Sequence, residues 1–292
     1  TRYIGVTGVQ TCALPISGYP ELAGELVSLN YDRGITAFVV ADTPARLAAD
    51  ASTLSAWGTN QKLAIEDNDD GLVTSDEYMG FFYPWGLTSD NFGNNVVVPP
   101  SHMMLRTIAL NDQVAYPWFA PAGVRRGGIT NASAVGYVNS NGEFVSVALN
   151  EGQRDTLASI KVNPITFITG TGLVNFGQYT RARAASALDR INVARLVVYL
   201  RKQLTAVSRP YVFEPNDKIT RDEIKAEVDS LLLELVGQRA IYDYLVVCDE
   251  SNNTRARIDR SELYIDLAIE PVKGVEFIYI PLRLKNTGEI AG

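Results

Sequence analysis

Ile191-Asn192-Val193-Ala194-Arg195-Leu196-Val197-Val198-Tyr199-Leu200-Arg201-Lys202-Gln203-Leu204 is the stretch on which the fold turns. It lies inside a helix expected over Ala187–Leu204. Ile191, Ala194 and Val198 form one apolar stripe at helical spacing; Leu196, Leu200 and Leu204 form another. A helix apolar over so wide an arc packs on two sides. A second helix is expected from Thr220, which makes a capping box with Glu223. Its stripe is Ile224, Val228, Leu231 and Leu235, and Gly237 ends it. Three strands should follow. Tyr242–Cys248 is the first. In the second, Leu263, Ile265, Leu267 and Ile269 alternate with Tyr264, Asp266, Ala268 and Glu270. The third is Val275–Leu284. Pro281 inside it has no N–H to give a ladder, so that position belongs at an edge or a bulge.

Upstream the pattern alternates helix and strand. Glu21–Leu29 reads as a short amphipathic helix and Ile35–Val40 as a buried β-branched strand. Thr43 and Pro44 are expected to cap and open a helix. Lys62–Ile65 and Asn95–Val98 are further strands, and Ser101 to about Asn111 is a helix. Ala134–Val138 and Glu143–Val147 flank an Asn141-Gly142 turn signal. Asn150 and Gln153 cap a helix running to about Ile160. Ile165–Ile168 and Leu173–Phe176 are strands around Thr169-Gly170-Thr171-Gly172. The fold class that results is mixed, α/β to α+β: a helix-covered sheet domain over residues 18–179, then a smaller α+β domain over 180–292.

Residues 1–17 stand apart. Val6-Thr7-Gly8-Val9-Gln10-Thr11-Cys12-Ala13-Leu14-Pro15-Ile16 looks like the translation of a sequencing-library adapter and fits a signal peptide poorly. This segment is expected to be non-native, with authentic N-terminal sequence missing.

Bulk chemistry narrows the function. The formal net charge of the 292 residues is −7, the wrong sign for an electrostatic grip on nucleic acid. No apolar run approaches bilayer length, so direct membrane insertion is not expected. Cys12 and Cys248 give neither a disulfide framework nor metal-ligand spacing. Glu66-Asp67-Asn68-Asp69-Asp70-Gly71, ending at Glu77, places Glu66, Asn68, Asp70 and Glu77 at calcium-loop positions. Position 1 of such a loop wants Asp, and the flanks are not helical, so an acidic solvated loop is the plainer reading. Gly170-Thr171-Gly172 lacks dinucleotide-binding spacing. No cofactor is expected.

His102 is the single histidine, and acid–base or nucleophilic catalysis would rest on it. No G-x-S-x-G elbow accompanies it, and a structural role near a helix start is the expectation. Cys248 reads as a small core residue. The pairs Asp249/Glu250 and Asp259/Glu262 read as surface acids in turns rather than a glycosidase pair. Asn131-Ala132-Ser133 and Asn252-Asn253-Thr254 match the glycosylation pattern, which means little without secretion. The first long helix is basic through Arg190, Arg195, Arg201 and Lys202; the next is acidic through Asp222, Glu223, Glu227 and Asp229. Two readings stay open here: ordinary solvated faces, or complementary patches between identical subunits.

An ordered series of short motifs spans the chain. It comprises Tyr83-Pro84-Trp85, Val98-Pro99-Pro100-Ser101, Trp118-Phe119-Ala120-Pro121-Ala122-Gly123, Asn163-Pro164-Ile165, Asp189-Arg190-Ile191-Asn192, Val212-Phe213-Glu214-Pro215-Asn216-Asp217 and Val247-Cys248-Asp249-Glu250-Ser251-Asn252-Asn253-Thr254. In this order they resemble the tail sheath proteins of contractile-tailed bacteriophages. The resemblance implies a central domain of subtilisin-like fold over 18–179, without a catalytic triad, and a sheath C-terminal domain with a terminal arm over 180–292. It implies a structural protein and not an enzyme: six-membered rings stacked around a tail tube, which contract to drive the tube through an envelope. The expected partners are identical subunits joined by strand addition, the tail tube protein, and baseplate and tail terminator proteins. The expected location is the virion tail, assembled in the host bacterial cytoplasm. The interface would include Val275, Phe277, Tyr279, Leu282, Leu284, Asn286, Thr287 and Ile290 in the terminal arm, with Arg190, Arg195 and Glu227 as the charged patches. With an N-terminal arm missing, the chain is expected to assemble poorly by itself. The alternatives are the sheath of a phage-derived contractile injection particle and, from another class, a hydrolase using His102.

Overall fold

The computed structural model of the protein describes residues 27–35, 37–58 and 76–276. Segment 1–17, the strand expected at Lys62–Ile65, calcium-loop positions Glu66, Asn68 and Asp70, and arm residues Phe277, Tyr279, Leu282, Leu284, Asn286, Thr287 and Ile290 lie outside them.

The strands in chain order are β1 (Val39–Asp42), β2 (Met79–Tyr83), β3 (Trp85–Ser89), β4 (Asn95–Val98), β5 (Ala134–Val138), β6 (Phe144–Ser146), β7 (Val162–Ile168), β8 (Gly172–Asn175), β9 (Ile241–Val247) and β10 (Asp266–Pro271). The helices are α1 (27–32), α2 (51–58), α3 (Pro100–Val114), α4 (Gly123–Arg126), α5 (Glu151–Ser159), α6 (Ile191–Ser208), α7 (Lys218–Gly237) and α8 (Arg255–Asp259). Among the described residues they build three sheets: β1-β2-β7-β8, β4-β3-β5-β6 and β10-β9.

The first sheet is the centre. β1, β2 and β7 run parallel, and β8 returns antiparallel. Every residue of β1 and β2 is buried, as parallel strands covered on both faces require. Val39, Ala41, Met79, Phe81 and Tyr83 face one core with Leu54, Leu157 and Val162. Phe38, Val40 and Phe82 face the other with Met103, Met104 and Ile165. The cis Tyr83–Pro84 peptide turns the chain from β2 into β3 of the antiparallel second sheet.

Helix α6 performs the double packing that its two stripes predict. Ile191, Ala194 and Val198 complete the second core. Leu196 and Leu200 enter a third, with Leu204 partly buried against it, opposite Val228, Leu232 and Leu235 of α7 and Val246 of β9. Burying each such side chain contributes about 1.5–3 kcal/mol. Gly80 on β2 makes room for the start of α6: a Cβ there would stand 3.4 Å from Ile191 Cδ1 and 3.2 Å from the Phe38 ring.

Several boundaries differ from expectation. Thr43 caps nothing; its hydroxyl donates to Phe82 O at 2.9 Å and it is buried. The cap of α2 is Asp50, whose carboxylate accepts from Thr53 N at 2.8 Å. Helix α7 starts at Lys218, with Asp217 as its cap and Thr220 inside. Its buried stripe runs through Leu232 rather than Leu231. β1 begins at Val39, later than the expected Ile35, because Ile35 has φ 58°. The Asn150–Gln153 capping box forms as expected.

Candidate functional site

The residues that remain for function gather where α6 begins and the β9–β10 sheet ends. Gln178–Thr180 runs beside Asp189–Ile191: Ile191 N donates to Gln178 O at 2.8 Å, and Thr180 N donates to Asp189 O at 3.0 Å. Tyr179 and Arg190 face each other across an isolated bridge. The segment leaving β10 crosses this junction. Val272 N donates to Ala240 O at 3.0 Å, and Asn192 Nδ2 donates to Val272 O at 3.3 Å.

Arg190 clamps the end of that segment. Its Nε and Nη2 donate to the two carboxylate oxygens of Glu276 at 2.5 and 2.9 Å, a forked geometry among the stronger ion-pair arrangements. Its Nη1 lies 3.0 Å from Asp189 Oδ1. The guanidinium stacks over the Tyr179 ring at 4.6 Å, and Gln178 Nε2 donates to Glu276 Oε1 at 3.0 Å. Burial works to raise the Glu276 carboxyl, but the bonds from Arg190 and Gln178 hold it below the ordinary glutamate value. Val275, beside it, is 81% exposed.

Arg195 is a correction. Expected on a charged surface patch, it is fully buried and points into the chain. Its Nη2 donates to both carboxylate oxygens of Asp112, at 2.7 and 2.5 Å, and so ties α6 to the end of α3. Arg190 is the extended residue that precedes α6 while Arg195 lies inside the helix, and the two face different surroundings. Glu227 is exposed on α7.

The β9–β10 sheet is thin. Register pairs Leu267 with Val246 and Ile269 with Tyr244. Val246 is buried, but Tyr244, Leu267 and Ile269 are only partly so. The other face carries Leu245 opposite Ala268, flanked by Asp243 opposite Glu270 and Val247 opposite Asp266; Leu245 is 60% exposed. Among the described residues β9 pairs with β10 alone. A two-stranded sheet is marginal in water, and this one leans on α7.

The link between β9 and β10 is held by polar groups that the sequence offered as a glycosylation pattern and as part of a resemblance motif. Asn252 and Asn253 are buried. Asn252 Nδ2 donates to Val247 O at 2.7 Å and Asp266 Oδ2 at 3.0 Å. Asn253 Nδ2 donates to Tyr264 O at 2.9 Å, and Tyr264 N donates to Asn253 Oδ1 at 2.7 Å. Arg257 covers the Tyr264 ring at 3.8 Å. These asparagines brace a turn. Clusters of buried side-chain amides carry no sequence period, so only the doubled Asn marks them.

The catalytic candidates do not converge. His102 is exposed on α3, while Ser101 is buried and donates from Oγ and N to Asp42 at 2.8 and 2.6 Å. Asp249 accepts from Ser251, and Glu262 pairs with Arg260 at 2.9 Å. Cys248 is buried, which pushes its thiol up. Gly170 and Gly172, with φ 83° and 96°, make the tight β7–β8 turn. Glu77 lies in the turn before β2, and among the described residues no three His, Cys, Asp or Glu gather as a metal set. None of the described helices is long and apolar enough to cross a membrane.

Comparison with known proteins gives these elements a setting. Residues 184–285 match the phage tail sheath C-terminal domain. The chain is 38% identical over 179 residues to the tail sheath protein of Vibrio phage KVP40, covering 61% of this chain and 25% of that protein. It is 33% identical over 180 residues to the tail sheath protein of Enterobacteria phage T4, covering 62% and 26%. The chain thus spans about a quarter of the length of the curated relatives it matches. Its fold resembles the sheath of an extracellular contractile injection system, PVC, in the contracted state, with TM-score 0.75 at 19% identity over 94% of this chain and 70% of that one. It also resembles a chain of the anti-feeding prophage baseplate in the contracted state, with TM-score 0.69 at 22% identity over 92% and 70%. The resemblance to contractile-tail sheath proteins carried by the sequence motifs is therefore found in sequence and in fold.

Proposed function

We propose that this chain is a structural subunit, or a large part of one, of a contractile sheath, which associates with its own copies by strand addition. The observation that carries the reading is the β9–β10 sheet. Among the described residues it is two-stranded, half-covered and open at its edges, and it lies within the segment matching the sheath C-terminal domain. Main-chain hydrogen bonds to an added strand would complete it, and such bonds tolerate rigid-body movement of the subunits they join. The Arg190–Glu276 clamp supports the same reading, since it anchors the segment from which Phe277 and later residues continue. Val275 and those residues are proposed as the donated arm, and Arg190 as its anchor. Arg195 is removed from the interface by its burial. Glu227 is kept as an exposed acid of the acidic face of α7.

The partners follow as part of the proposal: identical subunits, a tail tube, a baseplate and a tail terminator. The location is a virion tail assembled in the bacterial cytoplasm, or an injection particle of phage descent, a reading favoured by the fold likeness to two such systems. The role is non-enzymatic. Ser101 points inward to Asp42 while His102 faces outward, which leaves the hydrolase alternative without a nucleophile beside its base. Co-expression with a cognate tube protein, followed by negative-stain microscopy, tests the proposal. Ring stacks or rods around tubes are expected. A chain that stays monomeric in sedimentation at every concentration, and leaves the tubes bare, would overturn it.

A further inference from the structure

Among the described residues the second edge of β9 has no partner strand, and one of the strand's own side chains occupies it. Val272 N donates to Ala240 O, which fixes the hydrogen-bonding phase of the β10–β9 ladder at that end. In an antiparallel pair the amides alternate between pointing at the partner and pointing away. Counting from that bond through the register shift at Glu270/Pro271 turns the Tyr244 and Val246 amides away from β10. The Tyr244 amide is in fact bonded elsewhere: it donates to Asp243 Oδ1 at 2.8 Å. Asp243 is exposed, so nothing packs over this bond to hold it.

The sequence following Glu276 fits that edge. In an extended segment Ile278, Ile280, Leu282 and Leu284 point to one side. They would extend the apolar face formed by Tyr244 and Val246 over α7. The opposite side then carries Arg283 and Lys285 on the face where β9 and β10 present Asp243, Asp266 and Glu270. Pro281 lacks an N–H, which an added outermost strand tolerates.

We propose that Asp243 is a self-cap on the receiving edge of β9, and that residues 277–285 of a second copy displace it. The incoming main chain takes over the Tyr244 N–H, and the freed carboxylate turns to Arg283 or Lys285. The cap slows pairing with a wrong strand, which offers the edge no cation. This inference rests on the strand-addition reading above.

The test uses the full chain, held dilute enough to be monomeric, and a fluorescent peptide with the sequence of residues 275–286. In Asp243→Ala the Tyr244 amide should exchange with solvent roughly three- to tenfold faster, the effect of one exposed hydrogen bond, and the peptide should bind faster by a similar factor. Asp243→Asn keeps an acceptor for the amide but lacks the charge, so its Tyr244 exchange should stay near that of the parent and its peptide binding should be slower. Asp266→Asn, on the same face but off the edge, should leave Tyr244 exchange unchanged. Thermal unfolding of each variant checks that the fold is intact. Peptide binding with Asp243→Ala indistinguishable from the parent in both readouts would overturn the cap and leave strand addition standing. No peptide binding to any variant would remove both.

Discussion

The β1-β2-β7-β8 sheet and the β10-β9 sheet sit on opposite sides of α6 and are finished to different degrees. The first has four strands, and its two leading strands show no exposed residue. Among the described residues the second has two strands, one face half-covered by α7 and the other largely exposed. One is closed among the described residues; the other, in the proposed reading, is completed by a second copy. On that reading stability and assembly are divided between the two, so changes at one should leave the other's readout alone.

The hardest way to break that division is from the closed side. Phe82→Ala empties a fully buried position on β2 and should cost about 3–5 kcal/mol in urea unfolding. Arg195→Ala, which strands Asp112 at the junction of α3 and α6, should cost about 3 kcal/mol by the same measurement. Ile269→Ala on the half-covered face should cost only about 1 kcal/mol in the free chain, while weakening self-association in sedimentation. An unfolding cost for Ile269→Ala equal to that for Phe82→Ala would erase the distinction between the sheets.

Acid titration sharpens it with opposite signs. Burial pushes the Asp76 carboxyl, beside β2, up to about 6, although the Tyr78 amide and Tyr31 hydroxyl bonded to it work the other way. The folded chain therefore holds that proton more tightly than the unfolded one, and stability should fall as pH rises from about 4 to about 6. Asp76→Asn should flatten that slope. Glu276 is held below its ordinary value of 4.5, so its clamp is intact at neutral pH and fades as pH falls below about 4.5. Glu276→Gln should remove this smaller, opposite slope in a pH series of thermal unfolding.

The parts legible in the sequence were those with a period or a local cap. The two stripes of α6 were readable because each repeats every three or four residues, and β5 and the Asn150–Gln153 box because turn and capping signals are local. β2 escaped notice. Met79-Gly80-Phe81-Phe82-Tyr83 is buried on both faces, so it has no alternation, and Pro84 after it read as a break. Thr43 resembled a cap, but Phe82 O, 39 residues away, takes its hydroxyl. At the site, the charge of Arg190 and Arg195 was evident while their different surroundings were not, because Asp112 and Glu276 are distant in sequence. Asp243 gave no signal, since its bond depends on which edge of β9 is left open.

Helix α6 belongs to two cores at once, with Ile191, Ala194 and Val198 seated in one and Leu196 and Leu200 in the other. Rigid rods transmit torque, and this one is 18 residues long with Arg195 pinned to Asp112 along its side. A tug on the thin sheet from a neighbour would therefore reach the central strands as a turn of the whole body, with little slack lost between them.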